Sequence, residues 1–294
     1  MTYIVQRMTS MATLFFLLAL LCYVKARITE AGKRKIMLFA TATLFGVMAL
    51  FSKENSGMLP VMILGYEIFF LPRPGQEKKD HKTLLILTGT ALVVFILICW
   101  FFLGNDPFAR ILGGFGGREF TLGQRLLTET RIIVHYLSLL VLPLPARLNL
   151  IYDYQLSTGL FSPPATLLAI TCLISLGSLL FFLFKKDRLT AFAIFWLLGN
   201  LVVESSFIPL ELIFEHRMYL PSMFLILAGV GWLYRLTMDQ EKTARIMVVG
   251  AVLLLSLFTC NETWYGKMKL HSGQMSSRNH PAPSGNMAIL GSPI

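Results

Sequence analysis

ATLLAITCLISLGSLLFFLF, residues 165–184, contains no Asp, Glu, Lys or Arg. As an α-helix rising 1.5 Å per residue it reaches about 30 Å, the thickness of a bilayer's hydrocarbon core. A chain in lipid must satisfy its own backbone hydrogen bonds, which selects the helix. Lys185, Lys186 and Arg188 follow at once, and a second apolar block covers 190–208. Similar blocks occupy the first 24 residues, 83–103, 220–234 and 246–259, with shorter ones at 36–51 and 58–71. Together they predict an all-α polytopic integral membrane protein with about eight transmembrane helices. Composition agrees. Hydrophobic residues make up 55% and charged residues 14%, where soluble domains carry about 25% charge.

The formal net charge is +10. Nucleic acid is not the implied partner, because Lys and Arg fall in short clusters between apolar blocks and form no continuous basic face. Cys22, Cys99, Cys172 and Cys260 are scattered and include no CxxC pair, so neither a metal site nor a disulfide framework is indicated. They read as small hydrophobes. Residues 11–23 lack a small-residue cleavage site before the next basic cluster and do not read as a signal peptide.

Four short loops hold the dense basic clusters: Lys25, Arg27, Lys33, Arg34 and Lys35; Arg73, Lys78, Lys79 and Lys82; Lys185, Lys186 and Arg188; Arg235, Lys242 and Arg245. The positive-inside bias puts all four in the cytoplasm and the N-terminus outside, in a multi-pass protein of the inner (plasma) membrane. An ordinary signal anchor has its N-terminus inside, so this orientation suggests helices upstream of Met1. Residues 104–164 then form one long external loop. Within it, 132–145 is apolar but short, ends at Pro143 and Pro145, and is expected to be a re-entrant or interfacial helix.

This orientation gathers three polar groups on the external face. They are Ser52-Lys53-Glu54-Asn55; Arg147-Leu148-Asn149 with Tyr152-Asp153-Tyr154; and Glu204-Ser205-Ser206, Glu211 and Glu215-His216-Arg217-Met218-Tyr219-Leu220-Pro221. Each alone reads as an interfacial anchor. Together they suit an anionic substrate, Arg217 as a bidentate fork and Lys53 as a point charge on a phosphate. Carboxylates beside them would orient a hydroxyl or accept its proton. Glu67, near a cytoplasmic helix end, reads as structural. His135, in an apolar run, reads as packed. The sequon at Asn261-Glu262-Thr263 reads as accidental.

These stretches, with Tyr3-Ile4-Val5-Gln6-Arg7-Met8-Thr9-Ser10 and Pro145-Ala146-Arg147-Leu148-Asn149-Leu150, resemble a bacterial group of multi-spanning membrane proteins that carry C-terminal tetratricopeptide repeats. That group is similar to the TMTC-type O-mannosyltransferases of the GT-C glycosyltransferase superfamily. The resemblance covers about residues 1–265. It implies a GT-C-like transmembrane domain over 1–263 and transfer of a sugar from a polyprenyl-phosphate donor to a protein or glycan acceptor on the outer face. It also implies donor binding by Lys53, Glu54, Arg147, Glu215, His216, Arg217 and Tyr219. No cofactor is expected; a divalent metal belongs to the complete family enzyme.

Two departures accompany the resemblance. The family's first helix and its acidic catalytic loop precede the Tyr-Ile-x-x-Arg element, and here only two residues do. The chain alone is therefore expected to be inactive, with Asp153 and Glu204 the remaining candidates for a base. The repeats are also missing. Residues 264–294 form a polar tail, expected to be disordered. A shifted codon reading from the Met268/Lys269 junction permits a stretch like the family's linker into its first repeat, so the tail is read as a frameshift product. Two other classes fit the same topology: an inner-membrane polysaccharide polymerase or ligase, and a non-enzymatic transporter.

Overall fold

The computed structural model describes residues 4–30, 32–71, 89, 113–142, 147, 154–206, 208, 210–237 and isolated positions between 245 and 260. The chain divides into two compact units, Met1–Leu142 with Asn149–Leu236, and Pro143–Leu148 with Thr237–Ile294. The helices below all belong to the first.

Among the described residues the longer elements are all helices, with no strand. They are α1 (Ile4–Ile28), α2 (Lys33–Ser52), α3 (Leu59–Phe70), α4 (Leu122–Val141), α5 (Ala165–Leu183), α6 (Arg188–Val202) and α7 (Tyr219–Leu236). Short 3₁₀ turns, Glu54–Met58 and Glu215–Met218, lead into α3 and α7. Four helical segments are long and apolar enough to cross a membrane: Arg7–Ile28, Lys33–Ser52, Ala165–Leu183 and Glu215–Leu236. This is a helical membrane protein. The expected spans over 83–103 and 246–259 lie outside the described residues or almost wholly so.

The core is aromatic and lies where α1, α3, α6 and α7 meet. Phe192 sits at its centre, with ring centroids of Phe70 5.1 Å and Phe224 5.0 Å away. Trp196 packs 4.5 Å from Phe224 and 5.6 Å from Phe16, and its indole N–H donates to the Leu220 carbonyl at 2.9 Å. Two glycines let α3 and α6 approach. A Cβ on Gly65 would lie 2.1 Å from the Phe195 ring, and one on Gly199 2.3 Å from the Met62 methyl. Small residues at helix contacts are the usual means of close packing in lipid, where apolar surfaces gain little by leaving one another's solvent. The opposite faces of α2 and α5 leave Ile36, Leu44, Phe51, Leu168, Ile174 and Phe181 exposed. Such continuous apolar cover suits acyl chains.

The ends of the helices meet at two polar poles. At one, the Arg27 guanidinium grips Glu67 through two hydrogen bonds of 2.5 and 2.9 Å, and the Tyr23 hydroxyl donates to the same carboxylate at 2.6 Å. This fork joins the last turns of α1 and α3, a structural role. Asp187 caps α6 by accepting from the Thr190 amide and hydroxyl, and Arg235 at the end of α7 donates to it at 3.1 Å. Arg188 donates to the Phe69 carbonyl of α3. The other pole is built from the last turns of α2 and α6 and the first turns of α3, α4 and α7.

The α4 helix differs from the expectation of a short apolar segment at 132–145. It begins ten residues earlier, at Leu122, where Thr121 and Gln124 form a reciprocal capping box. At 20 residues it is long enough to span, but it carries Arg125, Glu129 and Arg131 and is not among the four apolar candidates. Two of the three charges in it face the protein interior. Arg125 and Glu129 are fully buried.

Candidate functional site

Glu204, just past the end of α6, is the hub of the second pole. Its carboxylate accepts from the Lys53 ammonium at 2.5 Å and from the Asn55 side-chain amide at 3.1 Å. The Arg217 Nε stands 3.5 Å from its other oxygen. Lys53 and Asn55 arrive at the α2–α3 junction, and Arg217 at the turn that opens α7. Glu204 is 3% exposed and Arg217 4%. Charges so buried persist only when paired and hydrogen-bonded, and here each is.

The segment after Glu204 is held from α4. Arg125 donates from Nε to the Ser206 carbonyl at 3.0 Å and from Nη2 to the Glu204 carbonyl at 2.9 Å, and Nη1 donates to the Leu210 carbonyl. Tyr136, about three turns further along the same face of α4, exchanges hydrogen bonds with the Phe214 amide (2.8 Å) and carbonyl (3.1 Å). Arg217 itself donates from Nη1 to the Leu212 carbonyl at 3.0 Å and from Nη2 to the Glu211 carbonyl at 2.7 Å. Its fork is thus occupied by backbone. It works as a strut for residues 211–217 and does not point at open space.

Glu129 lies one turn after Arg125. Arg125 Nη2 is 2.9 Å from its Oε1, although that nitrogen's aligned hydrogen bond goes to the Glu204 carbonyl, and the Ser205 side chain stands close enough to ease the carboxylate's burial. Burial pushes the Glu129 carboxyl up to about 7, against the pull of Arg125 and Arg217. Three cations (Lys53, Arg125, Arg217) and two carboxylates (Glu129, Glu204) therefore meet in the interior of this pole, with the Arg118–Glu211 pair and Glu54 at its surface.

Of the residues expected to form a site, Lys53, Glu204 and Arg217 come together in this cluster. His216 adjoins it, within electrostatic reach of Lys53 and Arg217, and its ring stacks on Phe214 at 5.1 Å. Glu215, His216 and Tyr219 line a cavity beside it with Thr9 and Ser10 of α1. Glu54 is exposed. Arg147 is half-buried in the other compact unit, and Asp153 lies outside the described residues. His135 is half-buried with its ring 6.3 Å from that of Tyr154, in keeping with a packed residue. Arg125, Glu129 and Asn55 carry more of the arrangement than the sequence reading assigned them. The signal for the first two was present: a Thr-x-x-Gln cap followed by an Arg–Glu pair spaced i, i+4. No group of three or more His, Cys, Asp or Glu side chains suited to a metal occurs among the described residues. Comparison with protein-family models, curated proteins and solved structures returned no match to this chain.

Proposed function

We propose that this protein is a GT-C-like membrane protein of about eight spans that holds a polyprenyl-phosphate sugar donor at the outer face of the inner membrane for transfer of the sugar. Its partners are then membrane lipid and that donor, not nucleic acid. In this reading α4 lies in the external region between the spans as the re-entrant or interfacial element. The observation that carries the reading is the meeting of Lys53, Asn55 and Arg217 on one buried carboxylate, Glu204, from segments far apart in sequence. The same segments carry the family resemblance, and basic-loop asymmetry assigns them to the outside.

The chemistry follows from the cluster's charge. A lipid phosphate at a helix end, half out of water, is stabilised by fixed cations with few competing donors. Arg217 and Arg125 already serve backbone carbonyls. Lys53 donates only to Glu204 among the described residues, and an ammonium has three protons to give. Lys53 is therefore the cation for the phosphate, while Glu204 and Arg217 hold it in place.

The test is binding of farnesyl phosphate to the purified chain in lipid nanodiscs. Saturable binding that Lys53→Met weakens roughly tenfold, the loss of one charge-assisted hydrogen bond, supports the reading. Absence of saturable binding, or equal affinity for Lys53→Met and the parent, overturns it.

A further inference from the structure

Two stripes of α4 face different surroundings. Arg125, Glu129, Ile132 and Tyr136 form one, and all four are fully buried. The neighbouring stripe runs through Arg131, His135 and Ser138, at the i, i+4, i+7 spacing of a single helix face. With Ala165, Leu168 and Ala169 of α5 this second stripe lines a groove of about 310 Å³, the lower end of the size range of small-ligand pockets. Ala165 and Ala169 stand one turn apart, and their short side chains leave the hollow that longer ones would fill.

The groove joins a cation to an apolar track. Arg131 donates from Nη1 to the Gln155 carbonyl at 2.9 Å and to the Ser157 hydroxyl at 3.2 Å, and its guanidinium lies over the Tyr154 ring, 4.8 Å from the centroid. These contacts fix the side chain, yet a guanidinium has more N–H groups than they use. Arg125 has Glu129 and Arg118 has Glu211, whereas no carboxylate pairs with Arg131 among the described residues. The other wall belongs to α5, one of the four helices apolar enough to cross a membrane. Leu168 is 70% exposed, and Cys172 and Leu179 continue its exposed stripe along the helix. Arg131 thus meets the first turn of α5, the depth at which that span begins and lipid headgroups lie.

We propose that this groove binds an anionic phospholipid of the surrounding bilayer, with its phosphate on Arg131 and one acyl chain along the exposed stripe of α5. A free phosphate would use the cation and leave the apolar wall bare. An acyl chain alone would cover the guanidinium without pairing it. The trimethylammonium of a choline headgroup would offset the attraction. An anionic phospholipid meets both walls: its phosphate accepts from a planar fork, and its chain lies where the stripe of α5 already borders acyl chains. Basic pockets between membrane helices take such headgroups by the same chemistry. The site uses neither Lys53 nor the Glu204 cluster, and it stands whether or not a sugar donor binds there.

The experiment titrates the purified full chain in detergent micelles with short-chain phosphatidylglycerol, short-chain phosphatidylcholine and farnesyl phosphate, and reads bound lipid by native mass spectrometry. Two variants are compared with the parent, each with a thermal unfolding curve as a folding check. Arg131→Gln removes the cation. Ala165→Trp keeps the cation and fills the groove from an exposed position. The expected result is saturable binding of phosphatidylglycerol, roughly tenfold tighter than phosphatidylcholine, that each variant weakens by roughly tenfold. Farnesyl phosphate is bound by both variants as by the parent. Absence of saturable phosphatidylglycerol binding, equal affinity for the two phospholipids, or a folded variant that binds phosphatidylglycerol as the parent does overturns the proposal. Variants that weaken farnesyl phosphate as much as phosphatidylglycerol give the groove to the donor and overturn it too. If Arg131→Gln does not fold, Ala165→Trp decides by the same readings.

Discussion

Glu204→Gln removes one charge and almost no volume from the centre of the second pole. The Lys53 contact at 2.5 Å and the Arg217 contact at 3.5 Å both lose their counter-charge. At an effective dielectric of about 20 these pairs attract by about 7 and about 5 kcal/mol, much of which offsets the cost of burying the ions. Removing one partner of a buried pair leaves the other charge uncompensated, at a cost of about 3–5 kcal/mol. Here two cations are stranded, with side chains only 13% and 4% exposed, so the upper part of that range is expected. The assay is reversible unfolding of the purified chain in mixed micelles, titrated with denaturing detergent and followed by circular dichroism. Glu211→Gln is the control: its pair with Arg118 is exposed and is expected to contribute less than about 1 kcal/mol. The double variant Lys53→Met/Glu204→Gln should lose less than the sum of the singles by about 1–3 kcal/mol, because the second change removes a charge the first left unpaired. A Glu204→Gln protein within about 0.5 kcal/mol of the parent refutes the reasoning that Glu204 is the hub.

At the other pole, Glu67→Gln breaks the two-point grip of Arg27 and the Tyr23 hydrogen bond. A loss of about 3 kcal/mol is expected, with faster amide hydrogen exchange in the last turns of α1 and α3; unchanged exchange there contradicts it. Glu129 predicts a pH dependence. Its carboxyl is raised from 4.5 to about 7, mainly by burial, so the folded state binds the proton more tightly than the unfolded state. That contribution is fully present below the unfolded value and is lost as pH rises through about 7. Glu129→Gln mimics the protonated form at every pH. Relative to the parent it should gain stability between about pH 5 and pH 8, by up to about 3 kcal/mol; parallel stability–pH curves for the two proteins exclude the shift.

The membrane class was legible in the sequence because twenty uncharged residues in a row have one physical use. The ends of α2 and α7 followed from the same blocks, whereas α6 stops at Val202, six residues short of the apolar block expected to end at 208, where Glu204 turns inward to its cations. Lys53, Glu204 and Arg217 were found as neighbours of helix ends, but what they do was not. The sequence shows an arginine at a helix mouth and suggests a phosphate fork; only the folded chain reveals that the Arg217 donors are taken by the Glu211 and Leu212 carbonyls. The burial of the first half of α4 was hidden for a related reason. A hydropathy reading sums over a window and treats Arg125 and Glu129 as surface, whereas burial here depends on tertiary partners: carbonyls 79 to 85 residues away.

The central claim is that the Glu204 cluster faces outward and the basic pole faces the cytoplasm. The direct measurement is labelling of single cysteines by a membrane-impermeant maleimide in intact cells, with Cys22, Cys99, Cys172 and Cys260 replaced. Glu54→Cys and Glu211→Cys are exposed positions of the cluster's pole, and Lys33→Cys and Lys186→Cys are exposed positions of the basic pole. The account predicts that the first two label in intact cells and the second two only after the membrane is permeabilised. Labelling of Lys186→Cys in intact cells together with protection of Glu211→Cys contradicts it.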